Sequence, residues 1–360
     1  MIVTAALIVR NEAKTLGRCL ESVQPGVDQI VIVDTGSEDD TRRIAREYTP
    51  DVYDFRWHQD FGAARQFSFE RATGDWVCWF DADDVVSNAE AIRECVRTAS
   101  PNVAGFYWKY VVGEDEYGNS TCELWRERCV RSRAGFRWHG RVHEVLLPAT
   151  ASMLVRDSAV TVHHRPSARP AHYRRRNLDI LEEEYEATKH APEPRLLLYL
   201  GNEYSDQGSL EPALEFLHRY LLVATWDDEK YLAQVRIAAL LRHMGRYDDA
   251  IDAALCALKT HPAWPQAHFS LGETYYFLQD WPKVIHWIEC GRRLPPPDTL
   301  CVIHSLECRY DWIIHYCNAL FHVGRLADAL EWSKRALAIR PNDPWHLENV
   351  RIFESLQEAV

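Results

Sequence analysis

Short apolar segments alternate with amphipathic ones over the first 81 residues, and this alternation limits the folds available to the N-terminal part of the chain. Strand-like segments occupy 2–9, 29–33, 52–57 and 76–80, and the first of them is a continuous apolar run typical of a buried parallel strand. The segments between them have the apolar spacing of helices: 11–23, 39–48 and 60–72. This βαβαβαβ order predicts a mostly parallel α/β sheet with ligands bound at the carboxyl ends of its strands.

The pattern changes after residue 105. Short strand-like segments, separated by glycine-containing or charged turns, predict a mixed or antiparallel extension of the sheet: 106–112, 122–130, 136–138 and 160–162. The Arg-Pro-Ser-Ala-Arg-Pro sequence at 165–170 is typical of a linker. A long amphipathic helix is predicted beyond it, at 173–189.

From about residue 195 the sequence repeats. A glycine, or glutamine in its place, recurs at spacings of 37, 34 and 45 residues, and the fifth residue after it is small and apolar: Gly208 and Ala213, Gly245 and Ala250, Gln279 and Val284, Gly324 and Ala329. A period near 34 with this turn resembles the helix–turn–helix pattern of tetratricopeptide repeats. We therefore predict an α/β domain at 1–165, a linker with a connecting helix at 166–194, and helical repeats at 195–360.

Composition narrows the class of protein. With 47% hydrophobic and 26% charged residues the chain is typical of soluble globular proteins, and its net charge of −12 argues against a broad nucleic-acid-binding surface. The ten cysteines include no Cys-x-x-Cys pair, which suits a reducing cytoplasm. Residues 1–9 are interpreted as a buried strand rather than a signal peptide, and no run has the length of a membrane helix. A cytoplasmic protein is expected, with a homodimer as a candidate assembly.

Three carboxylates, Asp81, Asp83 and Asp84, follow the fourth predicted strand. Like charges this close repel strongly in a medium of low dielectric, so a cation is expected beside them. Mg²⁺ or Mn²⁺ is commonly held by one or two carboxylates, with phosphate oxygens completing the coordination. The segment therefore predicts a metal–diphosphate site. The alternative is a solvated acidic turn, or a helix N-cap before 88–90.

An ordered series of motifs resembles family 2 glycosyltransferases. The matching segments are Ile-Val-Arg-Asn-Glu-Ala at 8–13, Glu-Ser-Val at 21–23, Ile-Val-Asp-Thr-Gly-Ser-Glu-Asp-Asp-Thr at 32–41, Asp-Phe-Gly-Ala-Ala-Arg at 60–65 and the Gly-Asp-Trp…Asp-Ala-Asp-Asp segment at 74–84. Leu-Trp-Arg at 124–126 and Gly-Arg-Val-His-Glu at 140–144 resemble a later block of the subgroup with tetratricopeptide repeats, which includes S-glycosyltransferases acting on bacteriocin peptides. The resemblance covers residues 1 to about 165. It implies a GT-A fold (a Rossmann-like mixed sheet), a nucleotide-diphosphate sugar donor, and Mn²⁺ or Mg²⁺.

The resemblance implies a set of donor-binding residues: Val9, Asn11, Glu12, Asp34, Arg65, Asp81, Ala82 and Asp83. Asp34 is placed to accept a hydrogen bond from a base imide or a ribose hydroxyl, unless it caps the following helix. Glu12 either orients the nucleotide or caps the first helix. Arg65 offers a planar donor fork to uracil or phosphate, or else makes an ordinary surface ion pair. A UDP-sugar is the expected donor.

The metal is expected on Asp83 and Asp81, with His163 as the third ligand, because members of the family commonly supply a histidine near the end of the domain. His164 then fills the next position. Asp84 stands where the family often has glutamate, and its side chain is one methylene shorter. The alternative for both histidines is a polar strand end. A zinc cluster built from His139 and the later histidines has no supporting spacing.

Inverting transfer needs a base that deprotonates the acceptor. Glu144 is the candidate base, and His143 orients it or contacts the acceptor; the alternative is a structural Glu144 paired with Arg141 or Arg126. A cysteine thiol would need less help from a base. Two weaker candidates for sugar or acceptor contacts are Trp125 and Trp138, whose more common role is core packing. The arginines at 174–176 bind the donor diphosphate, bind an anionic acceptor, or form a solvated helix face.

The sequence therefore predicts a metal-dependent, inverting hexosyltransferase-type glycosyltransferase whose repeats recruit the acceptor. A peptide or protein side chain is the first choice of acceptor, and glycan, lipid-linked and nucleic-acid hydroxyls are the others. The competing hypothesis is a non-catalytic nucleotide-sugar-binding repeat scaffold for protein–protein interaction. A nucleotidyltransferase would usually carry a glycine-rich loop after the first strand, where this chain has Arg-Asn-Glu at 10–12.

Overall fold

A computed structural model describes residues 1–167 and 175–358, so Arg174 and residues 168–170 of the predicted linker lie outside the described residues. The chain divides into two compact units, one formed by 1–113 with 123–188 and the other by 114–122 with 189–360. The connecting helix, assigned to the linker from the sequence, is in the first unit. The two predicted fold classes, a mixed α/β sheet and helical repeats, are confirmed.

The first unit contains ten strands and five helices in its described part. The strands are β1 Val3–Val9, β2 Gln29–Asp34, β3 Val52–Asp54, β4 Trp76–Asp81, β5 Asp84–Ser87, β6 Val103–Glu114, β7 Ser120–Arg131, β8 Arg137–His139, β9 Val145–Leu147 and β10 Met153–His164. The helices are α1 Leu16–Val23, α2 Thr41–Tyr48, α3 Phe61–Phe69, α4 Ala91–Thr98 and α5 Arg176–Thr188. Eight strands form one sheet in the order β3-β2-β1-β4-β7-β6-β10-β5, and β8 pairs with β9.

Strands β3, β2, β1 and β4 are parallel, as predicted, so their carboxyl ends lie at one edge of the sheet. Antiparallel pairing of β7 with β4 begins the mixed extension. The apolar side of α1, predicted from its spacing, is fully buried: Leu16, Cys19, Leu20 and Val23. The helix begins at residue 16 rather than 11, because Asn11 adopts a left-handed conformation with φ of 54° and the following residues form a turn.

The two faces of β4 have different surroundings. Trp76, Cys78 and Phe80 pack in the large core with α1 and α4, whereas Trp79 packs in a smaller cluster with Trp138 from β8. Because successive side chains of a strand alternate between faces, Asp81 points to the same side as Trp79. The Asp81 side chain therefore lies on the face of β4 that carries the smaller cluster.

The second unit is built from antiparallel helix pairs. Its helices are α6 Pro194–Asp206, α7 Leu210–Val223, α8 Asp227–His243, α9 Tyr247–Thr260, α10 Gln266–Phe277, α11 Trp281–Gly291, α12 Ser305–Arg309, α13 Trp312–His322, α14 Leu326–Ile339 and α15 Pro344–Glu358. The predicted turn residues lie between paired helices with positive φ: Gly208 at 75°, Gly245 at 74°, Gln279 at 56° and Gly324 at 80°. The residues five positions later are completely buried: Ala213, Ala250, Val284 and Ala329. The repeat prediction is confirmed.

Gln279 occupies a turn position at which the other three repeats have glycine, so Gln279→Gly is expected to stabilise the protein. A residue with a side chain is strained by about 1–2 kcal/mol in a left-handed conformation, and glycine avoids this strain. Glycine also loses more conformational entropy on folding, which offsets about 0.5–1 kcal/mol of the gain. A net gain of up to about 1 kcal/mol should appear in urea unfolding. The matched reverse change, Gly245→Gln, should destabilise by a similar amount, and a loss of stability in Gln279→Gly would contradict the strain argument.

The loop between β6 and β7 belongs to the second unit. Asp115 closes this loop by accepting hydrogen bonds from the backbone N–H groups of Tyr117 and Asn119, and Arg340 from the end of α14 donates to it at 2.9 Å. The loop is therefore fixed to the last repeat. Among the described residues, no helix combines the length and the apolar character that crossing a membrane requires.

Candidate active site

The acidic segment forms a tight turn between β4 and β5. Asp84 Oδ2 accepts a hydrogen bond of 2.9 Å from the backbone N–H of Asp81, and the N–H of Arg165 donates to the carbonyl of Asp83 at 2.8 Å. Ala82 is buried in the core between them. The turn lies at the carboxyl end of β4, where the βαβ order predicted a ligand site. The predicted helix-cap alternative is wrong, because Asp84 begins a strand, β5, that the sequence did not reveal.

Asp81 pairs with a buried arginine on α3. Arg65 Nη2 lies 2.6 Å from Asp81 Oδ1, and Arg65 Nε lies 2.6 Å from Glu144 Oε1. The guanidinium also lies 4.4 Å from the ring centre of Trp79 and 5.3 Å from that of Trp138. Burial alone would raise the pKa of Asp81, but the charges of the neighbouring arginines, Arg65 first, hold it well below its usual value. Arg65 is thus no surface residue; it joins two carboxylates inside the domain.

Glu144 reaches this arginine from a loop with an unusual backbone. The Glu144 side chain is buried and forms its ion pair with Arg65. Arg126 donates a hydrogen bond of 2.9 Å to the backbone carbonyl of Glu144, and Arg141 pairs with Glu183. The expected structural pairing with Arg141 or Arg126 side chains is therefore wrong. His143 adopts a left-handed conformation with φ of 51°. Such strained residues concentrate at functional sites.

The loop contacts the start of α3 backbone to backbone. The N–H of Phe61 donates to the carbonyl of Arg141 at 2.8 Å. A Cβ added to Gly62 would lie 2.4 Å from the carbonyl oxygen of Gly140, so only glycine allows this approach. The helix with Arg65 and the loop with His143 and Glu144 are therefore in direct contact.

A second group of ligand atoms lies on the other side of the turn. Oxygen atoms of Asp83 and Asp84 and a ring nitrogen of His164 lie within 4.8 Å of one another. His164 Nδ1 is 3.3 Å from Asp83 Oδ1 and 3.9 Å from Asp84 Oδ1. Two carboxylates and an imidazole form a donor set that suits Mn²⁺, and Mg²⁺ less well.

This group differs from the set expected from the sequence, Asp81, Asp83 and His163. Val160 and Val162 of β10 are buried in the core with α1, so strand alternation places His164 on that same face and His163 on the opposite one. Alternation on β4 likewise directs Asp81 to Arg65. In the described part of the chain, the group of possible metal ligands thus contains Asp84 and His164, whereas the sequence predicted Asp81 and His163.

Arg128 holds Asp84 in position and was not recognised from the sequence. Arg128 Nη1 lies 2.9 Å from Asp84 Oδ2, both side chains are fully buried, and the guanidinium lies between the rings of Trp79 and Tyr110, at 3.9 and 4.2 Å from their centres. Asp84 Oδ1 is buried and has no hydrogen-bond partner among the described residues. A buried carboxylate oxygen without a donor is costly, so a cation at this oxygen would be stabilising. In the sequence, Arg128 is marked only by its position directly before the apolar pair Cys129-Val130.

The pKa of His164 gives a prediction for stability against pH. Burial alone would lower it, but the contacts with Asp83 and Asp84 raise it to about 10. A group whose pKa is raised on folding contributes stability that is complete below its unfolded value of about 6.5 and is lost as the pH rises through the folded value. Without metal, the free energy of unfolding should therefore fall between about pH 6.5 and 10.

Chemical denaturation across this range measures the effect. In His164→Gln the fall should be largely absent, whereas His163→Gln, the adjacent residue on the opposite face, should retain it. A slope that disappears in His163→Gln and persists in His164→Gln would reverse the assignment.

Asp34 ends β2 with one oxygen fully engaged. Its Oδ1 accepts hydrogen bonds from the N–H groups of Gly36 and Ser37, at 3.0 and 2.9 Å, and from Arg42 Nε at 2.8 Å. Its Oδ2 is buried and has no hydrogen-bond partner within 1–167 and 175–358. Burial alone would raise its pKa, but the hydrogen bonds from Ser37 and Arg42 hold the pKa below its usual value. Asp39, rather than Asp34, accepts from the first N–H of α2, so the helix-cap alternative for Asp34 is wrong.

The residues after β1 hold the neighbouring turn in place. The N–H of Asn11 donates to Ser37 Oγ at 3.0 Å, and its Oδ1 accepts from the N–H of Glu38 at 2.8 Å. The Glu12 side chain accepts a hydrogen bond of 2.7 Å from Thr15 Oγ1, in the turn that precedes α1. The carbonyl of Val9, at the end of β1, accepts a hydrogen bond from the N–H of Thr35. These residues form one rim at the carboxyl ends of β1 and β2.

The two tryptophans have different surroundings. Trp138 is buried edge-on against Trp79, with 5.0 Å between the ring centres. It therefore packs in the core, which was the alternative to a sugar or acceptor contact. Trp125 is partly exposed, and the guanidinium of Arg156 lies 5.6 Å from its ring centre. Of the two, only Trp125 has a ring surface at the boundary with solvent.

The family model of glycosyl transferase family 2 matches residues 4–149. A TPR repeat-containing protein of Synechococcus elongatus is 27% identical over 268 residues, covering 71% of this chain and 66% of that protein. The SPbeta prophage-derived glycosyltransferase SunS of Bacillus subtilis is 28% identical over 263 residues, covering 69% and 60%. The lipopolysaccharide core biosynthesis glycosyltransferase LpsC of Rhizobium meliloti is 28% identical over 158 residues, covering 40% and 57%.

The matched region spans two thirds or less of the length of each of these relatives. Among solved structures, a TPR protein of Thermus thermophilus is 19% identical and covers 51% of this chain and 89% of its own, with a TM-score of 0.36. That value is too low to add to the helix pairing seen in the chain itself. Residues 4–149 thus match the family 2 glycosyltransferases, and tetratricopeptide-like helical repeats follow them.

Proposed function

We propose that the protein transfers a sugar from a nucleoside-diphosphate donor to an acceptor. The observation that carries the proposal is the grouping of Asp83, Asp84 and His164 at the carboxyl end of β4, in a domain of this family. β2 and β4 flank β1 in the parallel part of the sheet, so Asp34 and this group lie at the same edge. A nucleotide bound along that edge would have its base near Asp34 and its diphosphate near the carboxylates.

Each residue of the edge has a distinct role in this proposal. Asp83, Asp84 and His164 would hold Mn²⁺ or Mg²⁺, and the cation supplies charge neutralisation for the departing nucleoside diphosphate. Arg128 keeps the Asp84 carboxylate turned towards the other two ligands. Arg65 keeps Asp81 ionised and fixed, placed to accept a hydrogen bond from the ribose.

Uridine is the proposed nucleoside. Asp34 offers a single oxygen, Oδ2, because Oδ1 is engaged by Gly36, Ser37 and Arg42. Uracil presents one imide N–H, whereas guanine presents two adjacent donors that would need both oxygens. Nothing lies within 4 Å of the position that a Cβ on Gly36 would take, so the turn beside Asp34 borders open space.

On the acceptor side, Glu144 is proposed as the base of an inverting transfer and His143 as a residue that contacts the acceptor. Glu144 Oε1 is engaged by Arg65, so only Oε2 is available to take a proton. An acceptor that ionises readily needs least from such a base, and this favours a cysteine thiol over a hydroxyl. A peptide or protein is the proposed acceptor, because stacked helix pairs suit extended peptides. The ten cysteines are free thiols, which suits the cytoplasm.

A thermal-shift screen of nucleotide sugars, with and without Mn²⁺, tests the donor proposal. A ligand that binds only the folded protein raises the melting temperature by mass action, so a UDP-sugar with Mn²⁺ should give the largest shift. Release of UDP from the best ligand then tests catalysis. Binding without hydrolysis or transfer to any peptide would favour the non-catalytic scaffold, and no binding of any nucleotide sugar would reject the donor site.

A further inference from the structure

Arg42 joins two carboxylates at the ends of neighbouring strands. Asp34 ends β2, Asp54 ends β3, and the two residues are partners in the parallel register. Arg42, in the first turn of α2, places its Nη2 2.8 Å from Asp34 Oδ1 and 2.9 Å from Asp54 Oδ1, and its Nε 2.8 Å from the same Asp34 oxygen. Since two adjacent carboxylates repel each other, the guanidinium stabilises both.

These contacts fix the rotation of the Asp34 carboxylate. Oδ1 receives two backbone N–H groups and the fork of Arg42, and a carboxylate oxygen has only two lone pairs to offer. Rotating the carboxylate away from this orientation would break these hydrogen bonds, whichever of its two equivalent oxygens occupies the engaged position. With Arg42 absent, the hydrogen bonds from Gly36 and Ser37 would remain to oppose a change in side-chain rotation.

We propose that Arg42 is a positioning residue that sets the base selectivity of the donor site. By holding Asp34 Oδ1, it leaves Oδ2 as the single acceptor, which matches the one imide donor of uracil. Guanine would be left with an unpaired buried donor, and unpaired groups of this kind discriminate strongly between ligands. The inference rests on the proposed role of Asp34 in donor binding.

A purely structural role for Arg42 predicts a different result. Its side chain is 38% exposed and its second partner, Asp54, is 76% exposed, so the pair with Asp54 contributes little to stability. Loosening of the domain would weaken all nucleotides alike. A change in the preference between two bases is expected only if Arg42 acts on the orientation of Asp34.

Titration calorimetry of the full chain with UDP and with GDP, both with Mn²⁺, tests the inference. The wild type should prefer UDP. In Arg42→Met, UDP should bind about tenfold more weakly, GDP should change much less, and the ratio of the two dissociation constants should shift about tenfold towards GDP. Arg42→Lys, which keeps the charge without the fork, should lie between them. Arg43→Met is the matched control on the same helix, because the described ion pairs of Arg43 are with the exposed Asp40 and Glu47.

An unchanged ratio in Arg42→Met, whether both ligands weaken or neither does, overturns the role of Arg42 and leaves the proposed donor site intact. If the wild type binds neither UDP nor GDP, the donor proposal fails and the inference fails with it. Should Arg42→Met not fold, Arg42→Gln provides the same comparison, because it removes the charge and keeps a polar side chain.

Discussion

Asp83→Ala is expected to abolish the Mn²⁺-dependent release of UDP from a UDP-sugar, with a loss of about 1,000-fold or more in kcat/KM. Asp83 is buried and supplies one of three ligand groups in the proposed metal site. A cation that stabilises the departing diphosphate contributes several kcal/mol to the transition state, which corresponds to a loss of this size. Steady-state release of UDP, followed over a range of Mn²⁺ concentrations, measures the effect.

Asp75→Ala is the matched control for this substitution. Asp75 lies just before β4, at the opposite end of the strand, and accepts a hydrogen bond of 2.9 Å from the N–H of Ile2. Its loss should leave activity within about twofold of the wild type, since exposed surface substitutions have small effects. If Asp83→Ala retained a tenth of the wild-type activity with the same dependence on Mn²⁺, Asp83 would not be a ligand of the catalytic metal.

Arg65→Met is expected to cost about 3–5 kcal/mol of unfolding free energy, the largest effect on stability predicted for this chain. Removing one partner from a buried ion pair leaves the remaining charge uncompensated. Here it would leave two carboxylates, Asp81 and Glu144, facing each other across the empty position. Guanidinium chloride unfolding at neutral pH measures the loss.

A second variant separates charge from packing. Adding Glu144→Gln to Arg65→Met removes one of the two uncompensated charges and should recover part of the lost stability. Arg71→Met is the control. Arg71 donates to the carbonyl of Phe67 and lies over its ring, and it has no buried carboxylate partner in the part of the chain that the structure describes, so a loss of about 1 kcal/mol or less is expected. Equal losses in Arg65→Met and Arg71→Met would contradict the central position given to Arg65.

The strands and helices of the first 81 residues follow from the sequence because each has a continuous apolar run or a clear apolar side. The repeats were predictable for a similar reason, since the turn and the buried small residue recur at fixed positions. β5 was missed because Asp84-Val-Val-Ser is short and begins with a charge. The local apolar pattern is sufficient to predict a strand or helix where that segment buries one continuous face.

The direction of each functional side chain was harder to predict. His163 and His164 are adjacent, and which of them faces Asp83 depends on the register of β10 against β5. Arg65 and Glu144 are 79 residues apart, and Arg128 and Asp84 are 44 apart. No local pattern identifies such partners, because the pairing is created by the order of strands in the sheet. The candidate donor residues were proposed from motifs, and their contacts became visible only in the fold.

The close approach of Gly62 to Gly140 has a mechanical consequence. The helix that orients Asp81 and the loop that presents His143 and Glu144 touch through their main chains, with no side chain between them to absorb a displacement. A shift of one must therefore push or pull the other. Occupation of the proposed donor site would then be transmitted to the proposed acceptor residues as a joint movement of this helix and this loop.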